Sequence, residues 1–304
     1  MLRLPQNTAL RAGLFMVLAM GSFVSNDTIV KILGAHLPVG EIIALRGMMA
    51  MLFIGGICLR QGLLPEFPKL LQRNVLARSS FDVIATIAFV TALMHMPIAN
   101  LTAVMQAVPL AVALLSMVLL REKVGWQRMA AIIAGFIGVL MIVKPSVNHA
   151  GIYELLTLLI VLSVALRDIS TKRIPSRIPT FLVALGNAGF VTAGGLALAA
   201  FQGMVKPEPW ELALLALAAA CLSSGYLFMV ATLRLGELSG TAPFRYSVMV
   251  FAIISGVVVF GQFPDSIAML GMALVVAAGL YAARREAKQA ARPAFSDNAR
   301  TTVP

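Results

Sequence analysis

Residues 98–120 read IANLTAVMQAVPLAVALLSMVLL, a stretch of 23 residues that contains no charged side chain. One crossing of a bilayer by an α-helix takes about 20 mostly apolar residues, so this stretch is long enough to span the hydrocarbon core. We therefore predict a transmembrane helix here. Because proline lacks the backbone N–H that a helix interior needs, Pro109 is expected to loosen the helix locally.

Similar apolar stretches fill the rest of the chain. Of the 304 residues, 60% are hydrophobic and 12% are charged, whereas a soluble domain carries about 25% charged residues. This composition excludes a single soluble core. We predict an all-α integral membrane protein with ten transmembrane helices, and the predicted spans are residues 12–34, 40–59, 79–96, 98–120, 127–144, 153–172, 179–201, 211–233, 240–261 and 265–283.

The net charge of +11 is distributed in a way that predicts orientation. With a cytoplasmic N-terminus, 18 of the 24 Lys and Arg residues fall in cytoplasmic segments, as the positive-inside rule requires. Both termini are then cytoplasmic. Since the basic residues are scattered between apolar runs and form no compact basic face, nucleic acid is not expected as a partner.

The chain also contains an internal repeat at an offset of about 140 residues. The pattern D-x3-K occurs at Asp27 and Lys31 and again at Asp168 and Lys172. Further matches are Asn100–Gln106 with Ser239–Arg245, and Pro38 with Pro179. Because five helices per half is an odd number, the second half must cross the membrane in the opposite direction. We predict two inverted five-helix repeats, residues 1–145 and 146–285, and a cytoplasmic tail, residues 286–304.

Two copies of a longer motif resemble a known family. The first copy, within residues 93–143, includes Pro97, Asn100, Thr102, Ala103, Pro109, Leu120, Arg121, Glu122, Gln127, Gly135 and Gly138. The second, within residues 233–281, includes Ala242, Pro243, Phe244, Phe260 to Pro264, Gly271 and Gly279. At these residues the chain resembles the EamA-like type of the drug/metabolite transporter superfamily. It departs from the family pattern at Gln262, where an acidic residue is usual, and at Ala131, where a glycine is usual.

The resemblance implies a helical bundle with a central cavity that works as a secondary transporter in a bacterial inner membrane. The run from Met94 to Thr102 looks most like alphaproteobacterial members, some of which are similar to riboflavin transporters, so riboflavin uptake is the first specific expectation. Export of amino acids or drug-like metabolites is the alternative. The expected partners are a small-molecule substrate, the lipid bilayer and, by default, a proton as coupling ion, while the oligomeric state is left open.

A different class of function, a membrane enzyme or a receptor that transports nothing, was weighed against the carrier. The sequence has no HExxH, no GxSxG and no Walker loop, and its predicted spans contain no carboxylate-rich metal cluster. We therefore predict a protein that is not an enzyme and that has no cofactor and no metal site.

Polar residues inside the predicted spans are the candidate site residues, because a charge there costs about 2.5–3.5 kcal/mol near the bilayer centre on insertion scales. Transporter sites tend to lie where helices are broken at the midplane. The candidate substrate-binding residues are accordingly Arg245, Tyr246, Asn100, Gln106 and Arg46. Polar contacts that only hold helices together are the competing interpretation.

The candidate gate or coupling residues are Asp27, Lys31, Asp168, Lys172 and Asp82. Asp27 and Lys31 share one helical face, so they can also simply neutralise each other while the lysine reaches the interface. Lys172 can equally act as a topology signal beside Arg173, and Asp82 can equally be an interfacial cap. Arg167 is expected to point to a different face from Asp168, toward the lipid headgroups.

Overall fold

The computed structural model describes residues 8–120, 125–144, 152–175, 177–235 and 238–290. Arg121 and Glu122 of the motif, and the tail from residue 291, lie outside these ranges. The described residues form α-helices and one 3₁₀ helix (Leu64–Leu71), with no strand among them. The α-helices are α1 (Thr8–Leu33), α2 (Val39–Arg60), α3 (Arg73–His95), α4 (Ile98–Met105), α5 (Val108–Leu120), α6 (Trp126–Val143), α7 (Ile152–Lys172), α8 (Thr180–Gln202), α9 (Pro209–Leu235), α10 (Leu238–Arg245), α11 (Ser247–Phe260) and α12 (Ser266–Ala290).

Within the described ranges, eight helical segments are long and apolar enough to cross a membrane, so the chain is a multi-pass membrane protein. They are Arg11–Leu33, Val39–Arg60, Arg73–His95, Ile98–Leu119, Thr180–Gln202, Pro209–Thr232, Pro243–Phe260 and Ser266–Arg285. The all-helical membrane fold is thereby confirmed. The eight do not include α6, whose apolar stretch is the shorter Met129–Val143, or α7, which carries Arg167, Asp168 and Lys172 near its end. The count of ten spans stays a prediction.

Two of these spans are interrupted. Between α4 and α5, the N–H of Gln106 bonds to the carbonyl of Ala103 at 3.0 Å, and the N–H of Ala107 to Val104 at 3.0 Å, which are tight three-residue turns. Pro109 follows, and it has no N–H to donate to the carbonyl four residues earlier, which explains why the helix breaks there. Tyr246 separates α10 from α11 in the same manner, with its N–H 3.2 Å from the carbonyl of Pro243.

The largest helix contacts join the first half of the chain to the second. α1 packs on α9, α2 on α8, α3 on α7 and α6 on α12. The α6–α12 contact is close because it contains glycines: a Cβ added to Gly138 would lie 2.8 Å from the carbonyl oxygen of Gly271, and one added to Gly271 would lie 2.7 Å from that of Gly138. Small residues allow such an approach between membrane helices.

The packing gives the bundle two distinct ends. The basic end is where α2 and α7 finish and α3 and α8 begin; its basic residues are Arg60, Arg73, Lys172, Arg173 and Arg177. There Asn74 donates a 2.9 Å hydrogen bond to the carbonyl of Arg173. At the opposite end, the N–H of Gly40 donates to Gln202 at 2.9 Å, and Lys144 forms a 2.5 Å ion pair with Asp265.

Candidate functional site

A cavity of about 350 Å³ lies between α1, α2, α3, α7, α8 and α9. Pockets for small molecules span about 300–1,000 Å³, so its size suits a small organic ligand. It runs from Asp27 and Met105 inside the bundle to Phe53 on α2 and Phe181 in the first turn of α8. The cavity therefore extends toward the basic end. Much of its lining is apolar, with aromatic rings from Phe53, Phe89, Phe181 and Tyr226.

The first polar cluster of the cavity joins α1 and α2. Arg46, which is 9% exposed, donates from Nη1 to Oδ1 of Asn26 at 3.1 Å. Asn26 in turn donates from Nδ2 to Oδ1 of Asp27 at 2.9 Å. The asparagine thus lies between the guanidinium and the carboxylate and is bonded to both.

The second polar cluster joins α3, α7 and α8. Asp82 accepts hydrogen bonds on both carboxylate oxygens, from Nη1 of Arg167 at 2.8 Å and from Nδ2 of Asn187 at 2.5 Å. Nε and Nη2 of Arg167 donate to Oδ1 of Asp168 at 3.0 and 2.9 Å. The prediction that Arg167 points to the lipid headgroups is therefore wrong: Arg167 lines the cavity because two carboxylates there bind its fork of donors.

The two clusters are related by the internal repeat. Asp27 and Asp168 are 141 residues apart, as are Lys31 and Lys172. The same separation relates Asn26 to Arg167, Arg46 to Asn187, and Asp82 to Ser223, and all six of these residues line the cavity. Each half of the chain thus contributes polar groups from equivalent positions.

Lys31 lies near the opposite end of the bundle. Its Nζ donates to the carbonyl of Leu93 at 2.6 Å and to the carbonyl of Met96, both at the C-terminal end of α3, and lies 5.4 Å from the ring centre of Phe260. The lysine therefore contacts α3 and α11 instead of Asp27, its neighbour on the helical face. Lys172, its counterpart in the repeat, is exposed at the basic end, and the side chain of Asp168 is 40% exposed.

Of the five candidate substrate-binding residues, the structure places Arg46 on the cavity wall. Gln106 is buried at the break between α4 and α5, and Asn100 has a buried Oδ1 that has no hydrogen-bond partner in the structure. Arg245 is exposed and Tyr246 is half-buried beside Gly279. Of the described residues in α4 to α6 and α10 to α12, only Met105 lines the cavity, so these four candidates are not brought together with Arg46.

Of the candidate gate residues, Asp27 and Asp82 line the cavity. Sequence reasoning did not single out several other lining residues: Asn26, Arg78, Arg167, Asn187 and Ser223. The repeat offset could have found two of them, because it carries Arg46 onto Asn187 and Asp82 onto Ser223. Arg78 has no comparable signal, since it is one of many basic residues near predicted cytoplasmic ends.

Comparison with known proteins agrees with this architecture. The model of the EamA-like transporter family matches residues 10–144 and again residues 151–283. A solved crystal structure aligns with a TM-score of 0.60 over 93% of this chain and 99% of its own, and at 17% sequence identity it supports the fold alone.

Several characterised transporters are similar in sequence. An S-adenosylmethionine uptake transporter of Rickettsia prowazekii is 29% identical over 63% of this chain; the chain spans 65% of that protein's length. A riboflavin transporter of Rhizobium johnstonii is 30% identical over 68% of each chain. A pseudopaline exporter of Pseudomonas aeruginosa is 25% identical over 88% of this chain and 95% of its own.

These relatives are transporters and not enzymes, and the family model covers nearly the whole chain in two consecutive copies. The chain belongs to the EamA-like transporter family.

Proposed function

We propose that the chain is a secondary transporter that moves a small organic metabolite across a bacterial inner membrane by alternating access, with the cavity as its substrate site. The observation that carries this proposal is the set of charged residues on the cavity wall, contributed by both halves of the chain. Charges inside a membrane are costly and mark substrate or ion pathways. The default coupling ion is a proton.

The proposed topology is ten spans in two inverted repeats, residues 1–145 and 146–285, with α6 and α7 also crossing the membrane. The contact pattern supports it: exchanging the halves turns the α1–α9 contact into the α3–α7 contact, and α2–α8 and α6–α12 into themselves. Inverted repeats allow one fold to open to either side. We assign the basic end, both termini and the tail (residues 286–304) to the cytoplasm because the positive-inside rule favours this orientation.

Within this mechanism, Lys31 and Lys172 are the proposed gate residues. The contacts of Lys31 hold the opposite end closed while the cavity extends to the basic end. In the other state, Lys172 takes the equivalent position at the basic end and Lys31 is released. Asp27, Asp82 and Asp168 are the carboxylates available for coupling, and Asn100, Gln106, Arg245 and Tyr246 would meet the substrate when the broken helices rearrange.

The specific substrates proposed are metabolites with a planar heterocycle: riboflavin and S-adenosylmethionine. Aromatic side chains on the wall support this class, because they can stack on a flat ring. Relatives named for both substrates support it as well. Export of a drug-like or amino-acid-like metabolite is the second candidate, favoured by the similarity to the pseudopaline exporter over almost its full length.

The test is saturable flux into proteoliposomes that contain the purified full chain, measured separately with radiolabelled riboflavin and S-adenosylmethionine. Arg46→Ala is expected to lower the flux at least tenfold, since it removes a charged group from the wall. Arg60→Ala, which removes an exposed arginine at the end of α2, is the matched control and should transport normally. Loss of flux in both variants, or in neither, would contradict the assignment of the cavity.

A further inference from the structure

The two polar clusters of the cavity differ in how completely their charges are compensated. Asp82 uses both of its oxygens, and Arg167 uses its remaining donors on Asp168. Every charge of this cluster has an ionic partner at hydrogen-bond distance. It therefore has little capacity left for a ligand, and it serves to connect α3, α7 and α8.

Asp27 is different. Its carboxylate accepts one hydrogen bond, from the neutral amide of Asn26, and among the described residues no ion pair includes Asp27. The nearest candidates are otherwise engaged: Arg46 donates to Asn26, and Lys31 donates to carbonyls of α3. A carboxylate has about four acceptor positions, so Asp27 retains most of its capacity on the cavity wall.

Arg78 provides the opposite charge. Its guanidinium lines the same cavity, and its Nε and Nη1 are buried with no hydrogen-bond partner in the structure. Asn187 presents an unpartnered buried Oδ1 nearby on the wall. Buried charged donors are normally paired, because an unpaired one gives up its hydration without compensation. The guanidinium fork also matches the two oxygens of a carboxylate.

We propose that the substrate is a zwitterion whose cationic group binds Asp27 and whose carboxylate binds Arg78. The inference rests on the proposed transport function and narrows it to metabolites that carry an α-amino acid group. Aromatic side chains between the two charges, such as Phe89 and Tyr226, cover the body of the molecule. Of the two specific substrates proposed above, S-adenosylmethionine has this charge pattern and the neutral riboflavin does not.

The test compares ligands that differ by one charged group. In proteoliposomes with the full chain, uptake of radiolabelled S-adenosylmethionine is competed by its decarboxylated derivative, by S-adenosylhomocysteine, which keeps the α-amino acid group without the sulfonium, and by riboflavin. The wild-type chain should prefer S-adenosylhomocysteine over the decarboxylated derivative about tenfold or more, since a charge-assisted hydrogen bond is lost. Riboflavin should compete poorly.

Two variants locate the charges. Arg78→Gln should weaken S-adenosylhomocysteine about tenfold and leave the decarboxylated derivative unchanged, so the preference disappears. Asp27→Asn should weaken both ligands, because both keep the ammonium group. Arg73→Gln and Glu66→Gln make the same charge changes outside the cavity, in the first turn of α3 and in the 3₁₀ helix, and should behave as wild type.

Binding to the detergent-solubilised chain, measured by calorimetry with the same ligands, separates the two proposals. Saturable flux without the charge preference would overturn the zwitterion proposal and keep the transporter. The charge preference in binding without flux would keep the zwitterion site and overturn transport. Equal effects of Arg78→Gln on both competitors, in a folded variant with an unchanged size-exclusion profile, would also overturn the zwitterion proposal.

Discussion

The two ends of the bundle are built from repeated sequence and yet have different contacts. At the opposite end, the Lys31 ammonium is bound by two carbonyls of α3 and lies beside Phe260. At the basic end, Lys172 stands 141 residues later in the same D-x3-K pattern and is exposed, and the cavity extends to Phe181. Equivalent residues in unequal environments are what one conformation of an alternating-access carrier requires.

The Lys31 contacts are suited to a reversible closure. The last carbonyls of a helix carry a partial negative charge and lack partners within the helix, so they bind a cation well. The ring of Phe260 adds a weaker attraction at 5.4 Å. No carboxylate is needed, so the lysine can leave without leaving a buried anion behind. The closed end therefore teaches that the gate depends on the lysine of the repeated pattern more than on its aspartate.

The largest expected effect comes from breaking the compensated cluster near the basic end. Asp82→Ala removes the partner of both Arg167 and Asn187, and leaving a buried charge unpaired costs about 3–5 kcal/mol. We expect a marked drop in the thermal unfolding midpoint in detergent. Asp265→Ala removes the exposed partner of Lys144 at the opposite end and is the matched control, with little change expected. An equal drop in both variants would contradict the distinction.

The next effect concerns the gate itself. Lys31→Met removes charge-assisted hydrogen bonds worth about 1.5–3 kcal/mol each, so the opposite end should open more often. A cysteine at Ala99, which is 1% exposed, would report this as a roughly tenfold faster reaction with a membrane-impermeant thiol reagent. Both native cysteines, Cys58 and Cys221, are first replaced. Lys172→Met should leave the reaction rate unchanged or lower, and a rate increase in that variant would contradict the gate assignment.

A smaller effect tests a part of the bundle that carries neither gate. Gly138→Leu adds a side chain where α6 and α12 touch, and overpacking costs about 1–3 kcal/mol. We expect a lower unfolding midpoint and normal substrate selectivity, because α6 and α12 contribute no described residue to the cavity. Gly56→Leu is the control, since nothing lies within 4 Å of an added Cβ there. A change in selectivity in Gly138→Leu would contradict the separation of the cavity from this contact.

The smallest effect concerns the exposed ion pair of the opposite end. The hydrogen bond from Lys144, together with the N–H of Ala268, holds the pKa of the Asp265 carboxyl below its ordinary value. Its contribution to stability is therefore present above the ordinary carboxyl pKa and is lost as the pH falls through the lowered pKa. In Lys144→Met, the pKa measured by carbon-13 NMR should rise toward the ordinary value. An unchanged pKa would mean that the pair does not form in solution.

The sequence predicted the class of fold well, because apolar length and charge content decide it before any tertiary contact is known. It also identified Asp27, Arg46 and Asp82, since charges inside spans are rare enough to stand out. It could not tell which face of a helix meets the cavity. Arg167 was assigned to the lipid side although its donors meet Asp82, a residue 85 positions earlier on another helix.

The helix breaks illustrate the same limit. Pro109 and Pro243 predicted interruptions, and the interruptions lie at Gln106 and Tyr246. Nothing in the local pattern says whether a break faces the cavity, and in this conformation neither Gln106 nor Tyr246 lines it. The Lys31 contacts were equally out of reach, because their acceptors are backbone carbonyls that any residue could supply.

Spin-label distances across both ends of the same molecule test the central claim of alternating access most directly. One pair of labels, at Ala35 and His95, spans the end closed by Lys31; the other, at Arg177 and Leu235, lies at nearly equivalent repeat positions of the basic end. On passing from wild type to Lys31→Met in lipid, the account predicts that the first distance lengthens while the second shortens. Lengthening at both ends, or a change at one end alone, would contradict it.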